Sequence, residues 1–253
     1  MEYSIVIPAY NEADRIAATI TQITTFMRTF SDAYEVIVVD DGSVDNTADI
    51  VEDYSRENRD VKVIRNPHKG KGPSVWKGVM SSSGKYIYMC DTDLAAPISE
   101  LKKLSVWLID QDYDIVIASR EGVGAERIGE PFYRHLMGRV FNYVVQLLAL
   151  PGIKDSQCGF KLFKAEVAMD IFSRLKIYGD NAPLQKKAYL GAFDVEVLYL
   201  AKKMGLRVKA VPVTWTYVKT TRLNPILDSI KMPLDVLKIR VNDLKGLYNT
   251  APK

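Results

Sequence analysis

Tyr3-Ser4-Ile5-Val6-Ile7-Pro8 runs directly into Ala9-Tyr10-Asn11-Glu12. The first six residues read as a short strand, rich in β-branched side chains, that stops at Pro8. A helix is expected from near Glu12 to Phe30, because Ile16, Ile20, Ile23, Phe26 and Met27 recur near helical spacing. The same alternation continues outward. Strand-like runs occupy 35–40, 61–65, 86–91 and 114–119. Helical patterns fill 47–58, with Asp45-Asn46-Thr47 as its cap, then 72–83 and 98–110. Repeated β-α-β alternation predicts an α/β fold: a mostly parallel, mixed sheet flanked by helices. In such sheets ligands bind beyond the carboxyl ends of the strands.

The second half is less regular. A helix is expected over 134–150, with Leu136, Met137, Val140, Phe141, Val144, Val145 and Leu148 on a broad apolar face. A strand is expected over 160–163, a helix over 193–204 and a strand over 208–213. From Pro225 the tail is amphipathic and basic, with Lys231, Lys238, Arg240 and Lys245, and Pro233 should kink or restart its helix. The expected organisation is a main domain over 1–215 and amphipathic C-terminal helices over 216–253. No internal repeat is visible.

At 253 residues, 47% hydrophobic and 26% charged, the chain can bury a core without staples. A formal net charge of +3 does not argue for a nucleic-acid partner, but suits an anionic small molecule or an anionic membrane surface. Two separated cysteines, Cys90 and Cys158, read as free thiols. With only His68 and His135, a His/Cys metal cluster cannot be built. Any metal would be held by oxygen, which favours Mg²⁺ or Mn²⁺. No signal segment precedes the first strand and no window of about twenty apolar residues exists. The expectation is a cytoplasmic chain, soluble or peripherally attached to the cytoplasmic face of a membrane.

Three strand ends carry the chemistry. After the first, Tyr10 can pack on a base or ribose, and the new helix end suits a diphosphate. The second is Val39-Asp40-Asp41-Gly42-Ser43, where adjacent carboxylates need a donor such as a uracil or guanine N–H. The third is Asp91-Thr92-Asp93, whose carboxylates at i and i+2 can point into one cleft. With a nucleotide diphosphate they would complete the oxygen shell of a divalent cation. The first strand lacks a G-x-G-x-x-G turn, which disfavours a dinucleotide-binding oxidoreductase.

Ile5-Val6-Ile7-Pro8-Ala9-Tyr10-Asn11-Glu12, Val38-Val39-Asp40-Asp41-Gly42-Ser43 and Asp91-Thr92-Asp93 resemble the three motifs of family 2 inverting glycosyltransferases with the GT-A fold. Within that family the chain resembles the polyprenyl-phosphate (dolichyl-phosphate) transferases. Asp155-Ser156-Gln157-Cys158-Gly159-Phe160-Lys161-Leu162-Phe163 and Phe193-Asp194-Val195-Glu196-Val197-Leu198-Tyr199-Leu200-Ala201 look like the β-glucosyl branch. The resemblance implies that Pro8, Ala9, Tyr10, Glu12, Val39 and Asp41 hold the nucleoside. Asp91, Thr92 and Asp93 would hold the diphosphate and a Mg²⁺ or Mn²⁺ ion, with Asp91 and Asp93 as its ligands. Arg120 would grip the diphosphate, and Lys71 lies in a glycine-bearing turn below the nucleotide. Asp194 and Glu196 could orient sugar hydroxyls. Arg134, Arg139, Lys219 and Arg222 are candidates for the acceptor phosphate.

The sequence departs from the mannosyl relatives at Ala95, where they often carry Gln. The family's Ser-Lys element after the last strand is not clear in Lys219-Thr220-Thr221-Arg222, and the membrane anchors of many relatives are missing. The implied reaction is a single in-line displacement by a polyprenyl phosphate on a sugar nucleotide, UDP-glucose first and GDP-mannose second. A polysaccharide acceptor and a catalytically degenerate nucleotide-binding regulator are the other readings. The apolar face over 134–150 and the basic tail suit a membrane interface, with core packing, self-association or a small membrane-protein partner as alternatives.

Overall fold

The computed structural model describes residues 1–185, 189, 191–219 and 225–249. Its seven-stranded sheet runs in the order β3-β2-β1-β4-β7-β5-β8. The strands are β1 (Tyr3–Ala9), β2 (Tyr34–Asp40), β3 (Val61–Arg65), β4 (Tyr86–Met89), β5 (Ile115–Ser119), β7 (Lys161–Lys164) and β8 (Val208–Pro212). All pairings are parallel except those of β7, which lies antiparallel between β4 and β5. A small second sheet pairs β6 (Glu126–Ile128) with β9 (Thr214–Thr216). The mostly parallel mixed sheet is the one expected.

Strands buried on both faces divide their side chains by period two. Val6, Ile37, Val39, Ile87, Met89, Ile115, Ile117 and Phe163 face one core. That core is covered by α3 (Lys71–Met80), α6 (Ala165–Ser173), α7 (Phe193–Lys203) and α8 (Pro225–Leu244). Ile5, Ile7, Val36, Val38, Tyr88, Val116 and Leu162 face the other, under α1 (Ile16–Phe30) and α4 (Leu101–Ser105), with α2 (Thr47–Glu57) beside α1. Helix α3 lies so close to β1 and β2 that a Cβ at Gly78 would stand 2.3 Å from Val6 Cγ1.

Several elements differ from expectation. The first helix begins at Ile16 rather than Glu12. The 98–110 helix divides into a 3₁₀ turn, α4 and a π turn. Helix α8 runs through Pro233 without restarting. It also belongs to the main core: Val236, Ile239 and Tyr248 are buried in the same cluster as α7. Helix α5 (Phe132–Leu148) turns its apolar side outward. Of the expected apolar face, Val145 is buried, while Leu136, Met137 and Val140 are exposed and the polar Asn142 points in. Phe141 and Leu148 are partly buried against the core, so core packing accounts for part of that face and leaves Leu136, Met137 and Val140 outside it. Among the described residues no helix is long and apolar enough to cross a membrane.

At the end of the sheet away from the strand carboxyl termini, Glu35 accepts hydrogen bonds from Ser4 Oγ (2.6 Å) and from Ser83 N and Oγ, and pairs with Lys62 Nζ (2.8 Å). Burial alone would raise its carboxyl; Lys62, Ser4 and Ser83 outweigh that and bring it down to about 2. A depressed carboxyl stabilises the fold above its ordinary value of 4.5 and loses that contribution as pH falls towards about 2. Glu35→Gln should therefore lower stability at neutral pH by about 1–3 kcal/mol. In urea titrations the gap from wild type should close as pH falls from 4.5 towards about 2. A gap independent of pH would show that the charge is not what Glu35 contributes.

Candidate active site

The polar strand ends meet at one edge of the sheet. Past β1 the chain turns at Asn11, which takes a left-handed φ of 53°. Asn11 N donates to Ser43 Oγ and Asn11 Oδ1 accepts from Val44 N, so the first two strand ends are stitched to each other. Glu12 N donates to Thr47 Oγ1 and Ala13 N to Asp45 Oδ2. The N–H groups expected to face a diphosphate at this helix start are thus committed to the neighbouring loop. Tyr10 stacks on His68 with ring centroids 4.2 Å apart.

Past β4, the D-x-D triplet separates its side chains. Thr92 is buried; its hydroxyl donates to Glu12 Oε1, and its carbonyl accepts from Thr19 Oγ1 (2.6 Å). Asp91 and Asp93 are left on the cleft side. Asp91 Oδ1 stands 2.5 Å from Lys71 Nζ, and Asp93 Oδ1 accepts from Ala95 N (3.1 Å). Burial, with Asp91 beside it, pushes the Asp93 carboxyl up. Burial opposes the charged form of Lys71, yet Asp91, Asp194 and Asp93 together hold its ammonium above the ordinary lysine value. Two close carboxylates sharing one ammonium favour further positive charge. Hard oxygen ligands at i and i+2 suit Mg²⁺ or Mn²⁺. Among the described residues no third Asp, Glu, His or Cys joins them, so substrate oxygens and water would have to complete the shell.

The segment before β7 supplies the other wall. Because β7 runs against β4 and β5, with Lys161 opposite both Met89 and Ile117, residues 155–160 arrive beside both strand ends. A Cβ on Gly159 would stand 2.1 Å from Asp91 Oδ2, so only glycine permits this approach. Asp155 takes the guanidinium of Arg120 in a two-point fork, Nε to Oδ2 (2.9 Å) and Nη2 to Oδ1 (2.8 Å), and also accepts Arg120 N. Lys161, almost fully buried, donates to Cys158 O (2.6 Å) and to Asp194 Oδ1.

The model of glycosyl transferase family 2 matches residues 4–172. The chain belongs to this family. It is a glycosyltransferase. Along 97% of its length it is 34% identical to a dolichyl-phosphate beta-glucosyltransferase of Dictyostelium discoideum, covering 76% of that protein. It is 32% identical over 98% of its length to the human enzyme of the same name, covering 77% of it. Among solved structures, mannosyl-3-phosphoglycerate synthase from Rubrobacter xylanophilus superposes with a TM-score of 0.67 at 18% identity, over 99% of this chain and 76% of that one. Glucosyl-3-phosphoglycerate synthase from Mycobacterium tuberculosis, in complex with Mn²⁺, uridine diphosphate and phosphoglyceric acid, gives 0.63 at 18% identity, over 95% and 78%. The fold is the GT-A fold expected from the motifs.

Lys71 pairs with Asp91 and Asp93 lies beside them, while Tyr10 stacks on His68; several other expected site residues are engaged within the fold. Glu12 is held by Thr92 and Arg15. Val39 is buried in the core, so its side chain cannot reach a nucleoside; Ala9 is buried and its carbonyl accepts Asp41 N. Pro8 is half-buried at the end of β1. Asp41 accepts from Lys69 N, Gly70 N and Ser74 Oγ, and faces His68 Nδ1 at 2.7 Å, so it builds the loop before α3. Asp40 Oδ1 and His68 Nε2 have no hydrogen-bond partner among the described residues, and neither do Ser156 Oγ and Gln157 Nε2 in the segment before β7. The sequence points to Asp40 only as one of two adjacent carboxylates needing a donor, and does not point to His68 as a site residue. A lone histidine in a basic loop carries no signal until the fold stacks it on Tyr10.

On the acceptor side, Glu196 is buried and accepts the N–H groups of Lys176, Ile177 and Tyr178 and the hydroxyl of Tyr248. It cannot orient a sugar. Asp194 is likewise buried, on Lys161. Arg134 lies 5.1 Å from the Tyr217 ring centroid and donates to its hydroxyl. Arg139 pairs with Glu121 (3.1 Å) and Lys219 is exposed. Arg222 lies outside the described residues.

The Gly159–Asp91 approach makes a specific demand. Gly159→Ala should leave the fold intact while moving Asp91, and a displacement near 1 Å at a reacting site can cost about 100-fold in rate. Turnover at saturating donor should fall by that order with the melting temperature little changed. Wild-type turnover in a folded variant would show that Asp91 need not stay where Gly159 lets it lie.

Proposed function

We propose that the protein transfers glucose from UDP-glucose to a polyprenyl phosphate of the dolichyl type, with inversion at the anomeric carbon, at the cytoplasmic face of a membrane. The observation that carries this reading is identity of about one third, spread over nearly the whole chain, to enzymes named dolichyl-phosphate beta-glucosyltransferase. The cleft geometry agrees with it. Asp91 and Asp93 would hold Mg²⁺ or Mn²⁺ together with the donor diphosphate. When bound, the cation would offset the charge that grows on the leaving nucleoside diphosphate. Solved neighbours described with Mn²⁺ and a nucleotide or nucleotide sugar support this ligand class.

The chain's own residues supply positioning and charge. Lys71 presents its ammonium beside Asp91. Tyr10 and His68 form a stacked pair that a base or ribose can extend. Arg120, with its fork on Asp155, keeps that wall of the cleft rigid. A phosphate monoester, with a second pKa near about 6, is mostly dianionic at neutral pH. It needs no strong general base, which fits a cleft whose buried carboxylates are largely engaged in structure.

The lipid half of the acceptor suits the outward face of α5. Phe132 (78% exposed), Leu136, Val140 and Leu147 (73%) turn apolar surface to solvent beside Arg134 and Arg139. Helix α8 packs beside α5, and its Leu234, Leu237, Val241 and Leu244 are exposed as well. Such a cation-flanked apolar surface suits a headgroup interface.

Two experiments test this reading. With a donor panel, polyprenyl phosphate and Mg²⁺ or Mn²⁺, label should pass from UDP-glucose, and not GDP-mannose, into a chloroform-soluble, acid-labile product. Asp93→Ala should retain less than about a tenth of the activity in a folded protein. Label appearing only in soluble sugar or in protein would refute the lipid acceptor. Separately, the protein should float with anionic liposomes at low salt, and a Leu136→Ser/Val140→Ser variant should float less. Wild type that stays at the bottom of the gradient would remove the membrane from the reading.

A further inference from the structure

Lys71 has a second neighbourhood besides Asp91. A cavity of about 300 Å³ opens between the turn that begins α3, the segment around Tyr178 and the middle of α8. Four lysines line it: Lys69, Lys71, Lys231 and Lys238. Among its described lining residues the single carboxylate is Asp235. That carboxylate is already engaged. Its Oδ2 accepts the hydroxyls of Tyr178 and Tyr189, each at 2.6 Å, and its Oδ1 takes Lys238 at 2.9 Å. Lys69 donates to the main-chain carbonyl of Asp180, whose exposed carboxylate stands 4.0 Å from the same ammonium. Lys231 lies 5.4 Å from the centre of the Tyr189 ring. Four ammonium groups meet Asp235 here, with Asp91 beside Lys71 and the exposed Asp180 beside Lys69, and the surplus of positive charge in a partly enclosed space is the condition for capturing an anion.

The mouth adds the other half of an amphiphile's chemistry. Leu234 lines the same cavity and is 50% exposed, and Leu237, Val241 and Leu244 continue from it on α8, all exposed. Their spacing of three, four and three residues is one stripe along one helix face. A ligand with a compact anionic head and a long apolar chain fits both parts. Lys71, paired with Asp91 at 2.5 Å, joins this cavity to the D-x-D carboxylates.

We propose that this cavity receives the phosphate of an isoprenoid phosphate monoester. Lys69, Lys231 and Lys238 take the phosphate oxygens, the chain leaves along the Leu234 stripe, and Lys71 lies between the captured head and the donor site. The assignment rests on the lipid-phosphate acceptor proposed above, but places its head on the α8 side rather than at Arg134, Arg139, Lys219 or Arg222.

Lysine acylation of the full chain, read residue by residue by mass spectrometry, tests binding without requiring turnover. Farnesyl phosphate should slow acylation of Lys231 and Lys238 by about fivefold or more, while farnesol and equimolar inorganic phosphate should not. Absence of protection by farnesyl phosphate overturns the site, and equal protection by inorganic phosphate overturns its lipid character. In kinetics, Lys231→Ala/Lys238→Ala should raise the acceptor KM about tenfold or more while the donor KM moves less than about twofold. An acceptor KM raised by Arg134→Ala but not by the double variant also overturns the site. Protection in a protein that transfers nothing to polyprenyl phosphate would sustain the cavity and refute the proposed reaction. Transfer without protection would do the reverse.

Discussion

Lys161 lies where three strands and a helix meet. It pairs across β7 with Met89 of β4 and Ile117 of β5, and its ammonium, almost wholly removed from water, rests on Asp194 in the first turn of α7 and on the Cys158 carbonyl. An isolated buried cation would cost several kcal/mol, so Asp194 cannot be elsewhere while β7 occupies this position. The N-terminal turn of α7 is also where a carboxylate is electrostatically favoured. The pair therefore fixes the antiparallel strand, the helix and the segment between Asp155 and Phe160 as one unit. That unit delivers Gly159 to Asp91 and Asp155 to Arg120.

The carboxylates around the cleft divide into two groups by what satisfies them. Asp41, Asp155 and Glu196 accept backbone N–H groups and nearby side-chain donors, and they hold loops in place. Glu12 does the same through Thr92 and Arg15. A buried carboxylate saturated in this way has little capacity left for a ligand. Asp91 and Asp93 are different. One lysine and one backbone N–H serve both, and burial raises Asp93 further. The imbalance of charge, rather than the presence of acidic residues, sets Asp91 and Asp93 apart from the structural carboxylates.

Helix α8 owes its place to polar ties as well as to burial. Tyr178 and Tyr189 reach Asp235, Tyr199 and Lys203 reach Asp243, and Tyr248 reaches Glu196. Val236 and Ile239 are buried beneath them. The apolar stripe of α8 and the outward face of α5 are thereby held in a set relation to the D-x-D cleft. A transferase acting on a lipid-borne phosphate requires such a relation, because the chain of the acceptor and its reacting head must be placed at once.

The period of apolar residues was enough to reveal the alternation from β1 to β5, and with it a mostly parallel sheet whose ligands gather at the strand ends. The D-x-D triplet was equally visible, since two carboxylates at i and i+2 after an apolar run are a local feature. What each neighbouring residue does could not be read that way. Asp41 and Asp40 are adjacent and chemically identical, yet Asp41 is saturated by the loop that Lys69, Gly70 and His68 fold back, while Asp40 keeps an oxygen with no partner among the described residues. Arg120 and Asp155, Lys161 and Asp194, and Tyr178 and Asp235 are partners separated by 35, 33 and 57 positions. The sequence by itself determined the alternating elements from β1 to β5 and the place of the D-x-D carboxylates, because both follow from local spacing, whereas α6, β6 and β9 carry no such pattern. Only the tertiary structure decided that β7 enters between β4 and β5, that the apolar side of α5 looks outward, and which charges remain for a ligand. Those outcomes depend on pairing and burial between distant segments, which no local pattern encodes.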